Sequence, residues 1–171
     1  ELAKKLVVGN AVNEATDCGP LIRNKEVDRV SSWVDEAISS GGKLICGGER
    51  YSASCYLPTV LLNPPLESLV ATQEIFGPVI CVFDSPDLND AIKQSNSLAT
   101  AFQASIFSND YKEIMEAFYG FDASAVIVND HTAFRVDWMP FAGRRQSGYG
   151  VGGIGYTLED MTQIKMGVFG N

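Results

Sequence analysis

The sequence has no uninterrupted apolar run approaching the ~18 residues of a membrane span, and its first residues, Glu1–Val8, lack the apolar segment of a secretion signal. Basic residues are also few. Thirteen lysines and arginines stand against 21 aspartates and glutamates, which gives a formal net charge of −8. This excess of negative charge argues against a nucleic acid or an anionic membrane as a partner. We therefore expect a cytoplasmic protein.

Cysteine and histidine are too few and too scattered for a metal site. The four cysteines form no C-x-x-C pair and share no ligand spacing with the single histidine, His131, so we predict no metal. Cys46 and Cys81 lie within apolar runs, as is typical of buried free thiols. Cys18 precedes a Gly-Pro pair, and nothing beside it indicates a reactive thiol.

Helical and strand-like segments alternate along the chain. Valines 27, 30 and 34, with Ala37 and Ile38, recur at steps of three and four and predict one amphipathic helix that ends at Gly41–Gly42. Short apolar runs bounded by glycine, serine or proline predict strands at 44–46, 58–62, 79–83, 104–107 and 125–128. The run at 79–83 alternates too little for a half-exposed strand, which indicates a central one.

Two further helices are predicted between the strands, one with its N-cap and first turn at Ser85–Pro86 and one that ends at Gly120. Because 46% of the 171 residues are apolar, the chain can bury a real core. Strands and helices that alternate at this spacing predict an α/β fold, with a mainly parallel sheet and helices on both faces. In such sheets ligands bind beyond the carboxyl ends of the strands.

The segment Gln73–Val79 places an acidic residue and an aromatic residue at a Gly-Pro turn before an apolar run. The carboxylate of Glu74 can accept hydrogen bonds from two neighbouring hydroxyls, as a ribose presents them. The ring of Phe76 can pack against a flat heterocycle. The alternative is an ordinary loop with one exposed acid and one buried ring.

The polar segment from Asn129 to Gly148 follows the last predicted strand, where sites often lie. His131 is either a proton shuttle or a hydrogen-bonding loop histidine. Arg135 offers a rigid fork for a phosphate, phosphonate or carboxylate, or else it pairs with Asp137 and clamps the loop.

Two glycine-rich and apolar segments complete the chain. Gly148–Gly153 fits a G-x-G-x-x-G pattern, but no predicted strand leads into it and the chain ends at Asn171, so we reject a dinucleotide fingerprint there. Gln163–Phe169 alternates polar and apolar residues like a strand with no partner left in its own sequence.

Several motifs in order make the sequence similar to the aldehyde dehydrogenase superfamily. Gln73–Val79 resembles the signature E-E-x-F-G-P-V, with Gln73 in place of the first glutamate. Val8–Asn10 and Thr16–Leu21 resemble an upstream segment of that family. The downstream matches are Gln103–Phe107, Val128–Asn129, Pro140–Gly143 and Ser147–Gly148.

The resemblance implies roles for several residues. Glu74 would hold the ribose of NAD or NADP, and Phe76 would pack beside the nicotinamide. Phe141 would belong to an aromatic wall beside the aldehyde, or else it is a plain core phenylalanine. His131 and Arg135 are taken with Phe141 as candidate substrate-binding residues at the aldehyde entrance. Family members carry their nucleophilic cysteine, general-base glutamate and Rossmann half ahead of the matched region. No catalytic residue is therefore expected within these residues.

The resemblance also implies an organisation. Residues 1–147 would be the C-terminal portion of the catalytic domain, 148–162 a glycine-rich return segment, and 163–171 an oligomerisation strand that joins a neighbouring subunit's sheet in a dimer or tetramer. We expect the chain to be a C-terminal fragment, inactive in isolation.

The implied reaction is oxidation of an aldehyde to a carboxylic acid with NAD or NADP, through a cysteine thiohemiacetal and thioester. Small anionic or hydroxy aldehydes are the expected substrates. Two alternatives stay open: a non-catalytic folding or oligomerisation module, and a reductase of acyl phosphates from the same superfamily. The sequence does not distinguish NAD from NADP.

Overall fold

The longest helix, α1 (Asn24–Ser39), confirms the apolar stripe predicted for it. Val27, Val30, Val34 and Ala37 are fully buried along one face. Gly41 follows the helix with φ of +112°, a left-handed conformation that favours glycine and stops the helix. The computed structural model describes all residues from 1 to 171, which form two units, 1–84 and 85–171.

The first unit carries a three-stranded sheet in the order β1-β2-β3. Strand β1 (Lys43–Cys46) pairs with β2 (Thr59–Leu62) in antiparallel fashion, and β2 pairs in parallel with β3 (Val79–Val82). A short helix, α2 (Leu69–Thr72), lies between β2 and β3 in the chain. The three predicted strands are therefore confirmed.

The position of β3 differs from the prediction, because β3 is an edge strand of this unit's sheet and not a central one. Its side chains alternate in burial, with Ile80 61% and Val82 43% exposed. An apolar run resembles a strand covered on both faces, and composition alone does not reveal that one face has no cover within the unit.

The core of this unit lies between α1 and one face of the sheet. Leu61 on β2 is fully buried, and Tyr56 and Val70 join the α1 stripe around it. Thr59, on the same face as Leu61, is also buried, and its hydroxyl accepts a hydrogen bond from the Gly48 amide at 2.8 Å. The core therefore fixes α1 against β2.

The second unit alternates short helices and strands. Its elements, in chain order, are α3 (Leu88–Asn96), β4 (Thr100–Ala101), β5 (Gln103–Ile106), α4 (Tyr111–Gly120), β6 (Ala125–Val128), β7 (Arg144–Arg145) and α5 (Ile154–Asp160). Strands β5 and β6 are parallel and enclose α4 in the chain, whereas β4 and β7 are antiparallel. The strands predicted at 104–107 and 125–128 and the helix end at Gly120 are confirmed.

The predicted start of the helix after β3 is wrong by two residues. Asp87, not Ser85, is the N-cap of α3, and its carboxylate accepts a hydrogen bond from the Asp90 amide at 2.9 Å. A carboxylate at this position satisfies a free first-turn amide and complements the helix dipole. Ser85 instead donates from its hydroxyl to the Asp87 carbonyl.

Asp122 fixes the segment that carries β7. Its carboxylate accepts hydrogen bonds from Arg144 at 2.7 Å and from Arg145 at 2.8 Å. These two hydrogen bonds hold the pKa of Asp122 below its usual value. Arg145 has φ of +54°, and its pairing with Asp122 helps to hold this uncommon conformation.

The α/β class is confirmed, but the single, mainly parallel sheet is not. Each unit has one parallel and one antiparallel strand pair. Helix α5 was not predicted, and no strand follows it. Residues 163–171 form no strand within this chain. The predicted division at 147/148 and 162/163 stays a prediction.

None of the helices combines the length and apolar character that crossing a membrane requires.

The packing predicts a large cost for truncating Leu61. Leu61→Ala should lower the free energy of unfolding by about 2–5 kcal/mol, because it leaves a cavity between α1 and the sheet. Leu66→Ala is the control, since Leu66 is 51% exposed and should change stability by less than about 0.5 kcal/mol. Urea unfolding checks both, and equal losses would contradict the core assignment.

Candidate functional site

A cavity of about 740 Å³ lies in the first unit. Its wall combines the loop 18–23, three side chains of α1 (Glu26, Arg29 and Trp33) and the segment 74–78. The predicted pair Glu74 and Phe76 therefore lies at one concave surface, beside charged and aromatic groups of the longest helix. This is the size and mixed lining of a small-molecule site.

Glu74 and Phe76 are both presented outward. The Glu74 carboxylate makes no hydrogen bond or ion pair with the protein, and the Phe76 side chain is 74% exposed. Phe76 has φ of +45°, which is uncommon for a residue with a side chain. Strained residues of this kind cluster at functional sites, and the binding role of Glu74 and Phe76 stays a prediction. The alternative of a buried ring is wrong.

Helix α1 contacts the segment 74–78 through the side chain of Arg29. The Arg29 guanidinium donates to the Ile75 carbonyl at 2.6 Å, and its Nε donates to the Glu26 carboxylate at 2.7 Å. The guanidinium also lies over the Trp33 ring, 4.4 Å from its centroid. Its hydrogen bond to Glu26 lowers the pKa of that carboxyl group, which therefore stays ionised at neutral pH.

Sequence reasoning missed this trio of α1. Its members, Glu26, Arg29 and Trp33, are spaced i, i+3 and i+7, so they lie on one side of a helix. Glu26 and Arg29 also carry opposite charges three residues apart. That spacing was a usable signal. The contact with Ile75, 46 residues away in sequence, was not visible in it.

In the second unit the structure brings Arg135 and Phe141 together. The Arg135 guanidinium lies over the Phe141 ring at 4.0 Å from its centroid, and Phe141 meets Phe102 edge to face at 4.8 Å. Arg135 forms no ion pair with Asp137, so the loop-clamp alternative is not what the structure shows. Phe141 is 39% exposed and is therefore not a plain core residue. The substrate-binding roles of both stay predictions.

His131 is exposed and serves the local turn. Its Nδ1 accepts a hydrogen bond from the Ala133 amide at 3.2 Å, and its own amide donates to Asp130 at 2.7 Å. These contacts are those of a loop histidine. A substrate-binding role for His131 stays a prediction.

The cysteines are all free thiols. Burial raises the pKa of Cys81, which keeps its thiol protonated and poorly nucleophilic at neutral pH. Cys55 is the buried cysteine, whereas Cys18, Cys46 and Cys81 are partly buried. Taken together, the first unit offers an acceptor and an aromatic surface for a ligand, and the second a cation stacked on a ring.

Comparison with known proteins identifies the family of the chain. The model of the aldehyde dehydrogenase family matches residues 1–166. The chain is 42% identical over 166 residues to 3-sulfolactaldehyde dehydrogenase of Priestia megaterium, covering 97% of this chain and 35% of that protein.

Two solved structures are similar in fold. Aldehyde dehydrogenase 21 from Physcomitrella patens, in complex with the reaction product succinate, matches with a TM-score of 0.90 and 36% identity over 94% of this chain and 33% of its own. Glyceraldehyde-3-phosphate dehydrogenase from Methanocaldococcus jannaschii, complexed with NADP, matches with a TM-score of 0.89 and 36% identity. This match covers 96% of this chain and 35% of that protein. The chain thus spans about a third of the length of its relatives, and over nearly all of its own length it belongs to the aldehyde dehydrogenase family.

Proposed function

We propose that this chain is part of an enzyme that oxidises an aldehyde to a carboxylic acid with NAD or NADP, and that its first unit holds the nicotinamide half of the cofactor. The observation that carries the proposal is the unpartnered Glu74 carboxylate beside the exposed Phe76 ring in one cavity. Membership of the family and the NADP complex of the relative from M. jannaschii support it.

The residues present fit this cofactor. A carboxylate with no protein partner can accept hydrogen bonds from both hydroxyls of a ribose, and an exposed ring can pack on a flat heterocycle. When bound, the nicotinamide supplies hydride acceptance. Glu74 and Phe76 would orient the cofactor for that step.

The chain's contribution is positioning. Burial keeps the Cys81 thiol protonated, and the chain spans about a third of its relatives' length. We therefore propose that the cysteine that forms the thiohemiacetal and thioester is supplied by residues outside these 171. Oriented cofactor and substrate matter because small misplacements cost ~100-fold in rate.

The tail favours an additional role in assembly. Ile164, Met166 and Val168 are each at least 80% exposed and alternate with polar residues or glycine. We propose that residues 163–171 add as a strand to a neighbouring subunit's sheet, which would cover these side chains and pair their backbone. The same feature would serve the non-catalytic oligomerisation module.

If a truncation after Thr162 left the oligomeric state unchanged in size-exclusion chromatography, the tail would have no such role.

The cofactor role of Glu74 predicts a defect in the chemical step. In the protein encoded by the complete reading frame, Glu74→Gln should slow hydride transfer about 10-fold or more, since it removes a charge-assisted hydrogen bond of ~1.5–3 kcal/mol. Nucleotide affinity should change much less. Single-turnover absorbance at 340 nm measures the step, and Glu67→Gln, an exposed acid outside the cavity, is the control. An unchanged hydride step would remove Glu74 from the site.

The second unit supports an anionic substrate. Arg135 is exposed, has no acidic partner and is stacked on Phe141, so its guanidinium edge is free for an anion. Two relatives point the same way: one is named for a sulfonated aldehyde, and the other was solved with succinate. We propose small aldehydes that carry a sulfonate, phosphate, phosphonate or carboxylate.

Loss of the Arg135 charge should therefore affect anionic aldehydes selectively. Arg135→Met keeps an unbranched stem over Phe141 but removes the cation. It should raise KM for 3-sulfolactaldehyde about 10-fold or more, as one charge-assisted contact of ~1.5–3 kcal/mol predicts. Lactaldehyde, which lacks the sulfonate, is the matched neutral substrate and should be spared. Equal changes on both substrates would mean that Arg135 only supports the loop.

A further inference from the structure

The segment that carries Glu74 and Phe76 contacts α1 at two residues, Ile75 and Gly77, one on each side of Phe76. Arg29 donates to the carbonyl of Ile75, the residue between them, at 2.6 Å. The second contact is between Gly77 and Val30, because a Cβ on Gly77 would lie 2.9 Å from a Val30 methyl group. A larger residue at position 77 would therefore require the Val30 side chain or the loop to shift.

Such attachment matters because the loop is not in a relaxed conformation. Phe76 adopts a left-handed backbone, a sparsely populated conformation that persists only where its surroundings determine it. The Phe76 ring itself is 74% exposed, so packing of that ring does not hold the loop. The loop is held instead by the hydrogen bond from Arg29 to the Ile75 carbonyl, by the Ile75 side chain packed against the core, and by the Thr59 amide bonded to the Pro78 carbonyl at 2.8 Å. Among these, the contact with Arg29 is the one made by a polar side chain.

Arg29 is itself fixed before it reaches the loop. Glu26, three residues earlier, occupies its Nε, and Trp33, four residues later, lies against its plane. The Arg29 side chain is 27% and the Glu26 side chain 15% exposed. A planar guanidinium offers donors in a fixed fork, so with its Nε on Glu26 its Nη2 points at a defined place.

We propose that Arg29 is a positioning residue of the enzyme: through the Ile75 carbonyl it sets the Glu74 carboxylate and the Phe76 ring for the nicotinamide nucleotide. This inference rests on the proposed function. Arg29 acts on the cofactor through the loop, and Glu26 and Trp33 act on Arg29. The polar face of α1 therefore determines how accurately the cofactor is held.

The test is a double-mutant cycle in the protein encoded by the complete reading frame. Arg29→Ala should slow single-turnover hydride transfer about 10- to 100-fold, as loss of orientation predicts, while the Kd for the nucleotide changes less than about 3-fold. With the aldehyde deuterated at its formyl carbon, the kinetic isotope effect on kcat should rise, which a purely structural defect would not cause. The faster of lactaldehyde and 3-sulfolactaldehyde serves as the probe.

The double-mutant cycle between Arg29 and Glu74 separates a positioning role from a general effect on stability. In a Glu74→Gln background, Arg29→Ala should cost much less than it does alone, because the group that it positions is already impaired. Arg50→Ala, which removes an arginine paired with Asp28 on the same helix, should leave the rate unchanged. If Arg29→Ala does not fold, Arg29→Lys carries the same cycle, since it keeps the charge but not the fork.

Wild-type hydride transfer in the Arg29 variants, or an equal loss in both Glu74 backgrounds, would overturn the positioning role. If Glu74→Gln alone leaves the hydride step unchanged, it is the proposed function that fails. The two failures are therefore distinguishable.

Discussion

The attachment of one loop to one helix is the constraint on which the candidate site depends. The apolar face of α1 is buried against the sheet through Leu61, and its polar face carries Arg29 to the Ile75 carbonyl. The same helix thus anchors the core of the first unit and holds the residues offered to a ligand. Because both faces belong to one rigid element, the accuracy of the site depends on the packing of the core.

Local patterns predicted the elements well and their environments less well. The steps of three and four along α1 and the apolar run at 125–128 correspond to elements in the structure. The edge position of β3 was missed, because neighbouring strands are a tertiary property. The competing cap at Asp87 was missed because Ser85–Pro86 offered an equally good local signal.

The site divides in the same way. Motif resemblance predicts a binding role for Glu74 and Phe76, and the structure adds that the carboxylate is unpartnered and that the ring is exposed on a left-handed backbone. Arg135 had two interpretations in sequence, and its stacking on Phe141 decides against a clamp by Asp137. Arg29 escaped prediction because its partner is a backbone carbonyl 46 residues away, which no side-chain pattern encodes.

The central claim is that the cavity beside α1 holds the nicotinamide half of the cofactor. The most direct measurement is a crystal structure of the protein from the complete reading frame with bound NAD or NADP. It should show the ribose hydroxyls within hydrogen-bonding distance of the Glu74 carboxylate, about 2.5–3.0 Å, and the Phe76 ring against the nicotinamide. A bound nucleotide that contacts neither residue would contradict the account.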